Sequence, residues 1–183
     1  MKKIIISVLG HDRPGIIAAV SEVLFRNGCN IEDVSQSILQ TEFAGVFIAS
    51  RPDTIETDEL SGRLREKLDP MRLSVLLREV ESAGVWQAPL SEPFVITTMG
   101  PDRPGLVAGI TELLARFGVN ISNLKAVFRG GDNPLENTMI YEVDIPLAVD
   151  QNLFREALYE RGRKLNLDVS LQHREIFEAI HRV

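Results

Sequence analysis

Two short segments of the chain carry residue types that could bind a small charged molecule. The first reads Gly10-His11-Asp12-Arg13-Pro14-Gly15, and the second reads Gly100-Pro101-Asp102-Arg103-Pro104-Gly105. A polar pair follows each segment at the same spacing, as Asn30-Ile31 in the first copy and Asn120-Ile121 in the second. Aspartate accepts hydrogen bonds from an ammonium group, and an asparagine amide both donates and accepts. The repeat therefore predicts a small polar site that occurs twice.

Both segments fall where a strand should pass into a helix. The glycines allow a sharp turn and the close approach of a small ligand, and the unpaired N–H groups at a helix start favour a carboxylate. Asn30 and Asn120 should open a strand that lies beside the first strand of their copy. A carboxylate site next to Asp12 or Asp102 is the minimum that recognition of a free amino acid requires.

Plainer roles remain open for the same side chains. Asp12 could cap its helix, and Asn30 could hydrogen-bond the loop. The arginine of each motif could pair with a nearby carboxylate, including Glu22 in the first copy and Glu112 in the second. A purely structural motif would satisfy the same sequence pattern.

Residues that differ between the copies are free of any shared role. His11 is replaced by Pro101, so a ligand contact from His11 is confined to the first copy. Cys29 is replaced by Val119 and is interpreted as a small buried apolar residue. The three histidines are far apart in the sequence and lack metal-ligand spacing, so we predict neither a metal site nor a cofactor.

The elements that position these motifs follow one order in both copies. Large apolar and β-branched residues at Ile4–Leu9 and Phe94–Met99 predict the first strands. The remaining strands are predicted at 30–39, 45–50 and 73–80 in the first copy and at 120–128, 138–145 and 167–171 in the second. The second helices are predicted at 57–68 and 150–165, and a short helix at 174–183 ends the chain.

Helix signals are also repeated. In each copy we predict a proline in the first turn of the first helix, a buried apolar stripe along that helix and a left-handed glycine after its last turn. We also predict an N-cap residue on the second helix. The residues concerned are Pro14, Ile17, Val20, Leu24, Gly28 and Thr57 in the first copy, and Pro104, Val107, Ile110, Leu114, Gly118 and Asp150 in the second.

The resulting order, β-α-β-β-α-β, predicts an α+β protein made of two ferredoxin-like domains, each a four-stranded antiparallel sheet with both helices on one face. The domains are predicted at 1–83 and 93–183, with a linker at 84–92 to which Trp86 belongs. One face of each sheet is left without helices, and we expect pairing of domains and a homodimer to cover it. The turn between the second and third strands is longer in the second copy, at 129–137, and its glycines indicate either a hairpin turn or a mobile flap.

Composition narrows the function classes. The net charge of −6 does not suggest a basic surface that would bind nucleic acid. The basic clusters at 63–67 and 161–164 are interpreted as solvated helix faces. No apolar run approaches the ~20 residues of a membrane span. A single cysteine fits a reducing compartment, so we expect a cytoplasmic protein.

On the motifs above, the sequence resembles the ACT domain, a regulatory module of amino-acid metabolism, over nearly its whole length as two copies. The resemblance implies ligand contacts from Asp12, Asn30, Asp102 and Asn120, at a place where two such domains meet. The ending Gln172-His173-Arg174-Glu175-Ile176-Phe177 looks like the glycine cleavage system transcriptional repressor family. That family is inferred to act through a protein partner, such as a transcription factor, and not by reading DNA itself.

Three functions remain open at this point. The first is an amino-acid sensor, for glycine or serine, that acts through a protein partner. The second is a ligand-free scaffold for dimerisation and protein interaction. The third is an enzyme, which we do not expect, because the nucleophile elbow and dinucleotide motifs are absent and the hydrolase domain that follows a related pair in formyltetrahydrofolate deformylase has no counterpart here.

Overall fold

The computed structural model describes residues 1–80, 89–128 and 137–181, so Trp86, most of the predicted linker and residues 129–136 of the long turn lie outside the described residues. The chain divides into two compact units, Met1–Val85 and Trp86–Val183. Unit 1 comprises β1 (Lys2–His11), α1 (Ile16–Arg26), β2 (Asn30–Leu39), β3 (Glu42–Arg51), α2 (Thr57–Leu68) and β4 (Leu73–Glu79). Unit 2 comprises β5 (Ser91–Gly100), α3 (Leu106–Arg116), β6 (Asn120–Phe128), β7 (Asn137–Pro146), α4 (Gln151–Lys164), β8 (Asp168–His173) and α5 (Arg174–His181).

Each unit contains one antiparallel sheet, in the order β2-β3-β1-β4 or β6-β7-β5-β8. The predicted fold class, two ferredoxin-like βαββαβ domains, is confirmed. One expectation about the sheet is wrong: β2 pairs with β3 and not with β1, and β6 likewise pairs with β7. The strand that carries Asn30 is therefore an edge strand, separated from β1 by β3.

Alternating residues of β1 bury one face of the first sheet under α1 and α2. Ile4, Ile6 and Val8 are at most 2% exposed and pack with the leucines of α2. Burying a large apolar side chain contributes about 1.5–3 kcal/mol, so this shared layer dominates the stability of the unit. The equivalent core of unit 2 includes Ile96, Ile110, Leu114, Tyr141, Val143, Phe154 and Leu158.

The helix predictions need three corrections. Pro14 and Pro104 lie before the helices, because α1 and α3 begin one residue after a glycine N-cap. Ile17 and Val107 are 36% and 39% exposed, and Ile16 and Leu106 are buried instead. The helix α2 starts at Thr57, so the residue before Thr57 is the N-cap.

Other predictions for the ends of elements are confirmed. Gly28 and Gly118 have φ values of 67° and 66° directly after the helix C-caps. The Asp150 side chain accepts hydrogen bonds from two backbone N–H groups of α4.

The start of β5 differs from the prediction. The strand begins at Ser91, inside the segment predicted as a linker, because Ser91 pairs with Pro146 of β7.

The ends of β3 and β4 are joined in unit 1 by a buried arginine. Arg51 is 1% exposed, and its guanidinium donates to Glu79 at 2.5 Å and to the Thr57 hydroxyl at 3.1 Å. Thr57 in turn donates to the same Glu79 oxygen at 2.6 Å. The Thr57 hydroxyl, which the sequence suggested as a helix cap, therefore belongs to an ion-pair network.

This network gives unit 1 a specific sensitivity to acid. Hydrogen bonds from Thr57 and Arg51 lower the pKa of Glu79 from 4.5 to about 2. A carboxyl whose pKa is lowered by folding stabilises the protein above its unfolded pKa, and that contribution is lost as the pH falls from about 4.5 to about 2. We expect the difference in melting temperature between the native protein and Glu79→Gln to be large at pH 7 and to shrink through this range. Glu66→Gln, on the exposed surface of the same unit, should show no such convergence in a pH series of thermal unfolding, and a constant difference for Glu79→Gln would contradict the assignment.

Candidate functional site

The two Asp-Arg-Pro-Gly loops have the same backbone. Gly15 and Gly105 are the helix N-caps, with φ values of 98° and 92°, a region that favours glycine. Among the described residues, no side chain accepts a capping hydrogen bond from the first N–H groups of either helix. The interpretation of Asp12 as a helix cap is therefore wrong, and the same holds for Asp102.

The first glycine of each motif serves strand packing. A Cβ atom on Gly10 would lie 2.9 Å from both the Arg72 carbonyl oxygen and the Leu73 side chain. A Cβ atom on Gly100 would meet Asn166 and Leu167 at 2.8 Å in the same way. These glycines are needed for the approach of the last strand, whereas the sequence pattern suggested that they give access to a ligand.

Within one unit, the two halves of the predicted site lie at opposite ends of the sheet. His11, which precedes Asp12, pairs with Glu42 of β3, whereas Asn30 pairs with Ser50. Those positions on β3 are eight residues apart, or about 26 Å at ~3.3 Å per residue. Neither unit brings its own aspartate and asparagine together.

In unit 2, the motif side chains form hydrogen bonds with other residues of the same unit. Asp102 accepts a hydrogen bond at 3.0 Å from the Nδ2 of Asn137, which is 8% exposed. Arg103 donates at 2.6 Å to the carbonyl oxygen of Leu165, the C-cap of α4. At the other end of the sheet, Asn120 donates to Asp144 at 3.5 Å.

In unit 1, the equivalent side chains have no such partners among the described residues. Within the described ranges, the side chains of Asp12, Arg13 and Asn30 form no hydrogen bond or ion pair, and the Asp12 backbone N–H donates to the Thr41 carbonyl at 2.8 Å. Asp12 is half-buried, and Arg13 and Asn30 are exposed. Next to them, His11 Nδ1 lies 3.4 Å from a Glu42 carboxylate oxygen.

The remaining motif positions are backbone or apolar positions. Pro14, Pro104 and Gly15 are exposed at the loop, whereas Ile31 and Ile121 are half-buried at the edge of each core. Cys29 is half-buried beside the first core, and burial raises the pKa of its thiol, which keeps it protonated and unreactive.

The glutamates suggested as partners of the motif arginines bind other cations. Glu22 lies 2.6 Å from Arg26 and 2.7 Å from Lys67, and Glu112 lies 3.4 Å from Arg161. Lys67 and Arg161 occupy equivalent places on the second helix of each unit, so a basic residue of each cluster links two helices. Lys67 stays exposed in this contact, whereas Arg161 is half-buried.

Three polar residues at the site were not predicted from the sequence. Asn137 was assigned to a turn, and Asp144 and Arg174 were given no role. Arg174 opens α5 and lies 3.8 Å from both Glu142 and Asp144, and it donates to the Ser122 hydroxyl at 3.2 Å. Strand pairing brings Asn120 beside Asp144, and Arg174 joins them from the start of α5. No spacing pattern connects 120, 144 and 174, and Asn137 lies at the other end of the same sheet.

Two general properties of the chain bear on function. In the described ranges, no group of three or more His, Cys, Asp or Glu residues is arranged to hold a metal ion. None of the described helices combines the length and the apolar character required to cross a membrane.

Comparison with known proteins identifies related sequences. The family model of the ACT domain matches residues 2–76 and 92–133. A UPF0237 protein of Methanopyrus kandleri is 44% identical over 68 residues, which cover 37% of this chain and 72% of that protein. A UPF0237 protein of Methanosarcina acetivorans is 34% identical over 94 residues, which cover 51% of this chain and 98% of that protein. These relatives are therefore about as long as one of the two copies.

Two solved structures share the fold over almost the whole chain. An unknown protein from Galdieria sulphuraria has a TM-score of 0.74 at 22% identity, covering 94% of this chain and 98% of that one. A protein provisionally designated a glycine cleavage system transcriptional repressor has a TM-score of 0.68 at 18% identity, covering 93% and 96%. At these identities the likeness shows a shared tandem fold.

Proposed function

We propose that this chain, which belongs to the ACT-domain family, is a non-catalytic regulatory protein that binds a free amino acid. The observation that carries the proposal is the polar loop of unit 1, where Asp12 and Arg13 form no side-chain hydrogen bond or ion pair within the described ranges. A carboxylate with free hydrogen-bonding capacity suits an ammonium group, and the nearby guanidinium suits a carboxylate. We propose glycine or serine as the ligand, because both are small amino acids.

The distance between Asp12 and Asn30 bears on how the site is completed. A ligand of about five heavy atoms cannot span about 26 Å of sheet, so one of the two contacts has to come from outside the unit, and we assign it to a second copy of the chain. The edge strand β2 is exposed along nearly its whole length, which leaves it open to pairing. We propose a homodimer in which Asp12 of one protomer and Asn30 of its partner contact one ligand.

The regulatory output is proposed to pass through a protein partner, in particular a transcription factor. Support for this comes from the fold shared with the protein designated a glycine cleavage system transcriptional repressor. The acidic net charge of −6 also argues against direct binding of nucleic acid. A cytoplasmic location is part of the same proposal.

A ligand-free interaction scaffold is the second candidate. The face of the first sheet that the helices do not cover carries exposed apolar side chains, with Leu9 at 56%, Val46 at 44% and Leu76 at 63% exposure. Large apolar side chains exposed on one face of a sheet favour an interaction site. In a scaffold, binding to the partner would not depend on an amino acid.

Isothermal titration calorimetry with the twenty protein amino acids tests the proposal. We expect heat with glycine or serine at micromolar or weaker affinity, because a ligand of about five heavy atoms is limited to roughly −7 kcal/mol. The double variant Asp12→Asn/Asp102→Asn should lose at least about tenfold in affinity, since a charge-assisted hydrogen bond is removed. Glu156→Gln, with the same loss of charge on an exposed helix, should bind normally. No heat and no change in melting temperature with any amino acid would favour the scaffold.

A further inference from the structure

We infer that the two copies differ in ligand binding. The loop of unit 1 binds the amino acid, whereas in unit 2 the side chains at the equivalent positions are hydrogen-bonded to other residues of the unit. This inference rests on the proposed function and adds which copy binds. It also identifies Asn137 and Asp144 as the residues that set the difference.

At the loop of unit 2, Asn137 takes the place of a ligand ammonium group. Its Nδ2 donates to Asp102 at 3.0 Å, which is the hydrogen bond that a bound amino group would make. Asn137 is 8% exposed and opens β7 directly opposite Gly100, so the strand holds the amide against the loop. An incoming ammonium group has to compete with a hydrogen bond that is already formed.

The same replacement occurs at the other end of the second sheet. The Asp144 carboxylate accepts from Asn120 at 3.5 Å, where a ligand carboxylate would accept, and Arg174 holds Asp144 in place from 3.8 Å. Arg103, the motif arginine, donates to the Leu165 carbonyl at 2.6 Å. Three motif side chains of unit 2 are therefore bonded within the unit.

Strand register identifies what stands at the same positions in unit 1. Gly10 pairs with Phe43 just as Gly100 pairs with Asn137, and Asn30 pairs with Ser50 just as Asn120 pairs with Asp144. Phe43 has no polar side-chain atom, and Ser50 carries no charge. The side chains of Asp12 and Asn30 are consequently left free in the described part of the chain.

Single substitutions in the full-length chain separate the two loops. Calorimetry with glycine and serine should give one amino acid per chain. Asp12→Asn should weaken the affinity by about tenfold or more, whereas Asp102→Asn should change it by less than about twofold, because Asp102 does not contact the ligand. Both aspartates lie at the surface loop, so both variants should fold, which circular dichroism verifies.

Exchanging the residues between the copies tests the cause. The double variant Asn137→Phe/Asp144→Ser gives unit 2 the residues of unit 1, and the stoichiometry should rise from one amino acid per chain toward two. Ser50→Asp places a carboxylate beside Asn30 and should weaken binding by about tenfold. Because Ser50 lies on the partly exposed face of β3, this variant keeps the inference testable if the double variant does not fold.

The outcomes distinguish this inference from the proposed function. Two amino acids per native chain, or binding that Asp102→Asn abolishes and Asp12→Asn spares, would overturn the division between copies and leave the sensor intact. The role of Asn137 and Asp144 would be overturned if Ser50→Asp binds the amino acid as well as the native chain does and the folded variant Asn137→Phe/Asp144→Ser still binds one amino acid per chain. No binding of any amino acid would overturn both proposals.

Discussion

Replacing Arg51 with methionine should lower the free energy of unfolding of unit 1 by about 2 kcal/mol, because the buried acceptors that its guanidinium satisfies lose their donor, whereas Glu79, which is 40% exposed, can be solvated. Arg51 is 1% exposed. Its guanidinium donates to Glu79 and to the Ile55 carbonyl, both at 2.5 Å, and to the Pro52 carbonyl at 3.3 Å. Methionine fills part of the space and supplies none of these donors, so the acceptors that Arg51 satisfied lose their partner.

The repeat provides a matched control for this variant. Ile145 occupies the place of Arg51 in unit 2, because it pairs with Glu92 as Arg51 pairs with Lys2. Ile145→Met exchanges one apolar side chain for another of similar volume and should cost less than about 1.5 kcal/mol. Urea unfolding followed by circular dichroism measures both variants. Equal losses in the two variants would show that packing volume matters at this position, and not the hydrogen bonds of Arg51.

Gly10→Ala should destabilise unit 1 by about 2 kcal/mol, within the range for overpacking a tightly packed site. The new methyl group would lie 2.9 Å from the backbone oxygen of Arg72 and 2.9 Å from the Leu73 side chain. A side chain can move aside, but the oxygen belongs to the backbone next to β4, which pairs with β1 along seven positions from Ile4 to Gly10. The strand itself must therefore shift.

A second glycine in the same unit should respond in the opposite sense. Gly62 is exposed in the middle of α2, and nothing lies within 4 Å of the position that a Cβ atom would take there. Gly62→Ala should stabilise the unit by about 0.5–1 kcal/mol, because alanine is the better helix former. Thermal unfolding of both variants gives the comparison. A loss of stability in Gly62→Ala, or none in Gly10→Ala, would contradict the packing described here.

Local signals in the sequence were sufficient for the order of the elements and for several of their bounds. The order βαββαβ, the bounds of β2 at Asn30–Leu39 and of α2 at Thr57–Leu68, and the left-handed Gly28 and Gly118 all follow from patterns within a few residues. Hydrophobic periodicity and glycine conformations act between near neighbours, so a single sequence records them. The same patterns recur in both copies of the duplicated domain.

Contacts between distant segments were not readable in this way. The buried Arg51 looks in the sequence like any charged residue at the end of a strand, and its partner Glu79 lies 28 positions further on. Thr57 was interpreted as a cap, because nothing local indicates that its hydroxyl faces two charged side chains. Burial and pairing of this kind depend on how the ends of β3 and β4 meet.

The sequence by itself determined that this protein is a duplicated domain with a polar loop between strand and helix in each copy. Only the tertiary structure decided that Asp12 and Asn30 lie at opposite ends of one sheet. It also decided that, in the second copy, Asp102 is hydrogen-bonded to Asn137 and Asn120 to Asp144. The physical reason is that strand order and register set which side chains meet. Those depend on the packing of the whole unit, so that two loops with the same motif acquire different surroundings.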